Sequence, residues 1–373
     1  MTSRARTREQ EVWREDFVGA LAALTLVLGL FLDGWEHINL QNGAVGGVLT
    51  PWHGPLYAGF TFAALWVFTR NPHLYRTGGP EPSAYLYRFR GIPLRYPLAV
   101  AGIIIATVGL VGDLFWHAAF GQETGVARVI APFHLLLFSG AWLLIAAPLR
   151  SAWHAPEFYP QNSSYRQILP ALLSLGLVTA VIAFMFQWIS PFVDWPPALR
   201  IDHVPEALRG YRRVTGTVEF ADVSRVLIAN IVLLAPVLMA LRRWRLPFGS
   251  ITTMWVIVAA LMASLSEFRL GGTIAAAAAG GLVADALVQQ LKPTVDRPSA
   301  FRIVGGVTPV ALWCAYFAAL ALFHHTRWPA DLWMGTVLVA GLNGLALSFL
   351  AIPPAVPISA ARWAPEPEEL HGH

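Results

Sequence analysis

The chain has 373 residues, of which 56% are hydrophobic and 13% charged, with a mean hydropathy of +0.54, which excludes a soluble globular domain. The net charge of +4 and pI near 9.5 do not point to nucleic acid, because the arginines fall between apolar runs, where membrane topology accounts for them. The single cysteine, Cys314, lies inside an apolar run, which excludes an internal disulfide and a cysteine-built metal cluster.

Apolar runs of spanning length recur along the chain and predict an all-α polytopic membrane protein. About ten transmembrane helices are expected, near 17–38, 51–69, 97–118, 130–148, 168–189, 222–241, 249–267, 272–291, 304–324 and 331–352. Residues 1–16 form a charged N-terminal tail, and the apolar run after it lacks a small-residue cleavage site, so the first helix is expected to be retained. Residues 17–148 make a four-helix half, 149–352 a six-helix half with a long external loop at 190–221, and 353–373 a C-terminal tail. Most of the 26 Lys and Arg fall on alternate sides that include both termini, and the 39–50 loop holds none. Both termini are therefore expected in the cytoplasm, in a plasma membrane. Thr273–Gly281 reads as a surface for close helix packing, Asn230 and Asn343 as interhelical hydrogen bonds, and Asp285 as an acid toward the cytoplasmic end of the eighth helix with no evident partner.

One pattern occurs twice in the first half. Gly29-Leu30-Phe31-Leu32-Asp33-Gly34-Trp35-Glu36-His37 is followed after a loop by Pro51-Trp52-His53. Gly109-Leu110-Val111-Gly112-Asp113-Leu114-Phe115-Trp116-His117 is followed by Pro132-Phe133-His134. Leu56, Tyr57 and Gly59 then stand against Leu137, Phe138 and Gly140. The reading is an internal duplication of helical hairpins, helices 1–2 and 3–4. Glu36 has no counterpart, since Trp116 stands in its place, and it ranks below the six repeated residues.

Residues i and i+4 share a helix face, so Asp33 with His37, and Asp113 with His117, can address one point. His53 and His134 follow Pro51 and Pro132 at helix starts, where the dipole disfavours protonation. Neutral imidazole is the metal-binding form. Asp33, His37, His53, Asp113, His117 and His134 are thus candidate metal ligands at one depth, suited to copper, zinc, iron or nickel rather than calcium or magnesium. Spacing leaves open whether they make one site or two. The aromatics around them (Trp35, Trp52, Phe115, Trp116 and Phe133) read as an interfacial belt. Glu267, His324, His325 and Asp331, expected on the same side, form a candidate secondary group.

Asp-x3-His followed by a histidine at the next helix resembles the copper-site motif in a membrane subunit of the copper membrane monooxygenases, the particulate methane and ammonia monooxygenase family. Asp33, His37 and His53, and again Asp113, His117 and His134, carry the resemblance. It departs from that family in its wider histidine spacing, its duplication and its number of helices. The resemblance implies copper, with iron or zinc as alternatives, and a metal-dependent redox or metal-handling role; whether the chain is an enzyme stays open. Two other readings of the same residues are a b-type haem protein with paired histidine ligands and a proton-coupled transporter. The expected partners are the lipid bilayer and, left open, further copies or other membrane subunits.

Overall fold

A computed structural model describes residues 3–40, 51–70, 88–89, 92–93, 96–121, 123, 125–194, 212–323 and 328–353. Each of the ten expected apolar segments falls on helix. Among the described residues seven helices are long and apolar enough to cross a membrane: α1 (Ser3–Asn39), α3 (Pro97–Phe120), α7 (Tyr165–Met185), α8 (Arg212–Arg243), α10 (Gly272–Leu291), α11 (Pro298–Phe323) and α12 (Ala330–Ala351). The other expected segments take different forms. After the short α4 (Val126–Ile130), α5 (Pro132–Ile145) bends by 44° into α6 (Ala147–His154), and the two together could make one more broken span. Pro148 accounts for the bend, because its ring displaces the carbonyl four residues earlier and it has no N–H to offer. α9 (Ser250–Ser264) is 15 residues long, and α2 (His53–Arg70) carries polar residues at both ends. Among the described residues the remaining regular structure is a short 3₁₀ turn at Gln187–Ile189 and a two-residue strand pairing, Arg88–Phe89 with Ile92–Pro93.

α1 packs on α2, and α3 on α5, as two hairpins in which glycine lets the backbones touch. A Cβ on Gly29 would lie 2.6 Å from the Leu56 backbone, and one on Gly59 would lie 2.6 Å from the Leu26 backbone. In the other hairpin, a Cβ on Gly109 would meet Leu137 N at 2.9 Å, and one on Gly140 would meet Gly102 O at 2.5 Å. Helix approach this close is the usual use of small residues in membranes.

The central α7 packs against α1, α5, α6, α8 and α9. Near its end Phe184 lies edge-on to Phe31 of the first hairpin, 5.1 Å between centroids, and 6.0 Å from Phe138 of the second. It packs against both hairpins, and Gly34 leaves the room: a Cβ there would lie 2.4 Å from the ring.

The second half continues as α9 on α10, α10 on α11, α11 on α12 and α12 on α8. The Thr273–Gly281 stretch is a close-packing surface: Cβ atoms on Gly280 and Gly281 would meet the Leu312 and Thr252 backbones at 2.7 and 2.6 Å. Asn230 donates to Asn343 Oδ1 at 2.8 Å and accepts from Trp313 Nε1 at 3.1 Å, so the interhelical bond expected there forms.

Asp285 corrects the reading of an acid without a partner. Its carboxylate accepts from the backbone N–H groups of Ile251 and Thr252 at 3.0 and 3.1 Å and from the Thr252 hydroxyl at 2.7 Å. It thus satisfies, from α10, the orphan donors at the start of α9. Asp16 is fully buried and accepts from the hydroxyls of Tyr159 (2.7 Å), Tyr96 (2.8 Å) and Ser151 (2.9 Å), joining α1 to three later segments.

Candidate metal centre

The C-terminal turns of α1 and α3 lie beside the N-terminal turns of α2 and α5, so each hairpin closes its Asp, His and His at the same end of the bundle. One ligand atom from each of Asp33, His37 and His53 lies within 4.8 Å of the others, and the same holds for Asp113, His117 and His134. In the first triad, His53 Nε2 is 3.5 Å from Asp33 Oδ1, and the two imidazole centroids are 5.7 Å apart. In the second, Asp113 reaches both histidines, with Oδ1 3.4 Å from His134 Nε2 and Oδ2 3.3 Å from His117 Nδ1. Its imidazole centroids are 5.8 Å apart.

These are two groupings, and both line one cavity of about 200 Å³ walled mainly by aliphatic and aromatic side chains. Asp33 lies within electrostatic reach of His134 and Arg128, and His53 within reach of Asp113, so each grouping feels the other. Asp33 Oδ1, Asp113 Oδ1 and His117 Nδ1 are buried and make no hydrogen bond. Buried polar atoms normally find partners, and carboxylate and imidazole atoms left without a hydrogen bond in this setting are compatible with a bound cation. The charge balance points the same way. Among the described residues, Asp33, Asp113 and Glu123 line the cavity with Arg128 as the one Lys or Arg side chain in its walls, which leaves it negative while the histidines are neutral.

Four residues outside the repeated six complete the surroundings. Glu36 Oε2 sits 2.5 Å from His37 Nδ1. Glu123, in the connection between α3 and α4, holds His117 Nε2 at 3.0 Å and accepts from Trp116 Nε1. Burial alone would raise the Glu123 carboxyl, but its own backbone N–H, His117 and Trp116 outweigh burial and hold it below the usual carboxylate range. The Arg128 backbone carbonyl meets His134 Nδ1 at 2.5 Å, and Tyr57 stacks on His53 with centroids 5.7 Å apart. Sequence spacing singles out neither Glu123 nor Arg128, since the first copy has no counterpart in its own loop. A charged pair beside the second Pro-aromatic-His was the available signal. Trp116, read as part of an interfacial belt, also bonds to this acid; Phe115 is 72% exposed and fits the belt reading.

Of the secondary group, only Glu267 and Asp331 lie among the described residues. α9 ends at Ser264, and Glu267 sits in the turn beyond it with φ of 56°, its side chain exposed. Asp331 is exposed in the first turn of α12, and neither acid joins an Asp/His grouping among the described residues. His324 and His325 lie outside the described residues. Comparison with protein-family models, with curated proteins and with solved structures finds no match to this chain.

Proposed function

We propose that this is a membrane metalloprotein in which each of the two hairpins holds one transition-metal ion, through Asp33, His37 and His53 and through Asp113, His117 and His134. One observation carries the reading: two Asp/His/His groupings, each with ligand atoms within 4.8 Å, face one cavity with buried carboxylate and imidazole atoms that lack hydrogen bonds. Carboxylate and neutral imidazole suit copper, iron or zinc. The resemblance of the Asp-x3-His…His motif to the copper membrane monooxygenases favours copper. Three protein donors per ion leave a coordination position open, the condition for ligand exchange, metal transfer or redox chemistry there. The matching hairpins support descent from one duplicated unit. The Lys and Arg distribution favours cytoplasmic termini, which puts the sites at the extracytoplasmic end.

The test is metal analysis with an absorption spectrum on protein purified in mild detergent without chelator. The reading requires up to two ions of copper, iron or zinc per chain, reduced by His37→Ala and by His117→Ala. A Soret band would replace it with the haem reading. Colourless protein that stays empty when offered these ions would refute both and leave the Asp/His cluster to proton transfer.

A further inference from the structure

We infer that the two sites, although written by the same repeated motif, take their metal through opposite nitrogens of the equivalent histidine: His37 through Nε2 and His117 through Nδ1. This rests on the metal-binding reading above and adds to it two positioning residues, Glu36 and Glu123.

An imidazole offers one lone pair when neutral, and the acceptor held by one nitrogen places the proton there and frees the other for metal. His37 and His117 occupy the same position in the repeat, so spacing alone makes them identical. Their acceptors differ. Glu36, the adjacent residue on α1, reaches the near nitrogen, Nδ1, at 2.5 Å. Trp116 replaces it in the second hairpin and cannot accept a proton; it donates instead to Glu123. Glu123 comes from the connection beyond α3 and reaches the far nitrogen, Nε2, at 3.0 Å. The nitrogen left over on His117 is Nδ1, which is buried, makes no hydrogen bond and lies 3.3 Å from Asp113 Oδ2. His134 completes this site. Its Nδ1 faces the Arg128 carbonyl at 2.5 Å, and its Nε2 turns to Asp113 at 3.4 Å. The second site therefore presents one Nδ1, one Nε2 and a carboxylate, with an oxygen acceptor behind each imidazole. Glu36 and Glu123 do the same work from unrelated places, and the two ions see different imidazole faces.

The experiment uses full-length protein in detergent, labelled with 13C and 15N at histidine and titrated with Zn2+ as a diamagnetic probe. Ring-carbon and ring-nitrogen shifts distinguish zinc on Nδ1 from zinc on Nε2, with signals assigned by their loss in His37→Asn and His117→Asn. The expected result is zinc on Nε2 of His37 and on Nδ1 of His117. In parallel, Glu123→Gln weakens only the second site and Glu36→Gln only the first, each by about 10–100-fold, the usual effect of losing a partner behind a ligand. Zinc on the same nitrogen of both histidines, or equal weakening of both sites by either variant, overturns the inference and leaves the metal reading intact. Protein that binds no zinc at all overturns both.

Discussion

Asp113→Asn is the perturbation that most sharply separates two independent sites from one shared site. Asp113 is 6% exposed, and its oxygens lie 3.3 and 3.4 Å from imidazole nitrogens on two different helices. Asparagine keeps the shape but removes the negative charge, and its amide N–H would occupy one of the lone pairs meant for metal. In a cavity with mainly apolar walls, a divalent ion facing neutral donors alone is poorly compensated. At free zinc one hundred times the dissociation constant, each occupied site stabilises the folded chain by about 2.7 kcal/mol. Two sites together contribute about 5.4 kcal/mol, and the variant keeps about half of that. The assay is zinc content per chain, with denaturant midpoints in detergent measured with and without zinc. Wild-type protein should take up two ions, and Asp113→Asn one, with the zinc-induced shift roughly halved. Two ions with an undiminished shift would show that Asp113 is not a ligand. Loss of both ions would show a single shared site and refute the separation into two.

Gly140→Val should cost about 1–3 kcal/mol, because the added carbons meet the backbone at Gly102 O and Ala106 N, where no flexible side chain can give way. Thermal melts against Gly54→Ala, where nothing lies within 4 Å, measure it, and zinc affinity should fall at the second site alone. Asp285→Ala should orphan the Ile251 and Thr252 N–H groups at about 1–3 kcal/mol each, with Asp285→Asn milder. Faster hydrogen exchange at those two amides is the readout, and unchanged exchange would refute the capping role. Metal uptake should fall as pH is lowered, because protonation consumes the ligand lone pair. Equilibrium dialysis at about pH 5 and pH 7.5 tests this, and equal zinc binding at both would point to carboxylates alone.

Sequence by itself determined what depends on short-range spacing. Apolar runs place the helices, because every backbone polar group within a bilayer must be satisfied inside its own segment. The i, i+4 rule brings Asp113 and His117 within 3.3 Å on α3, and the packing of α2 on α1 and of α5 on α3 brings in His53 and His134. Tertiary structure decided the rest. No local rule pairs Asp285 with the start of α9, or Asp16 with Tyr96 and Tyr159, because those partners are tens of residues away in the chain and meet only when helices pack. That both groupings face one cavity, which Phe184 of α7 also lines, depends on how the two hairpins and α7 pack together. The choice of nitrogen on His37 and His117 depends on which carboxylate arrives behind each ring, one from the same helix and one from a loop. A repeated motif specifies ligand types and their helical phase; the surroundings that set tautomer, charge and access come from segments that the repeat does not contain.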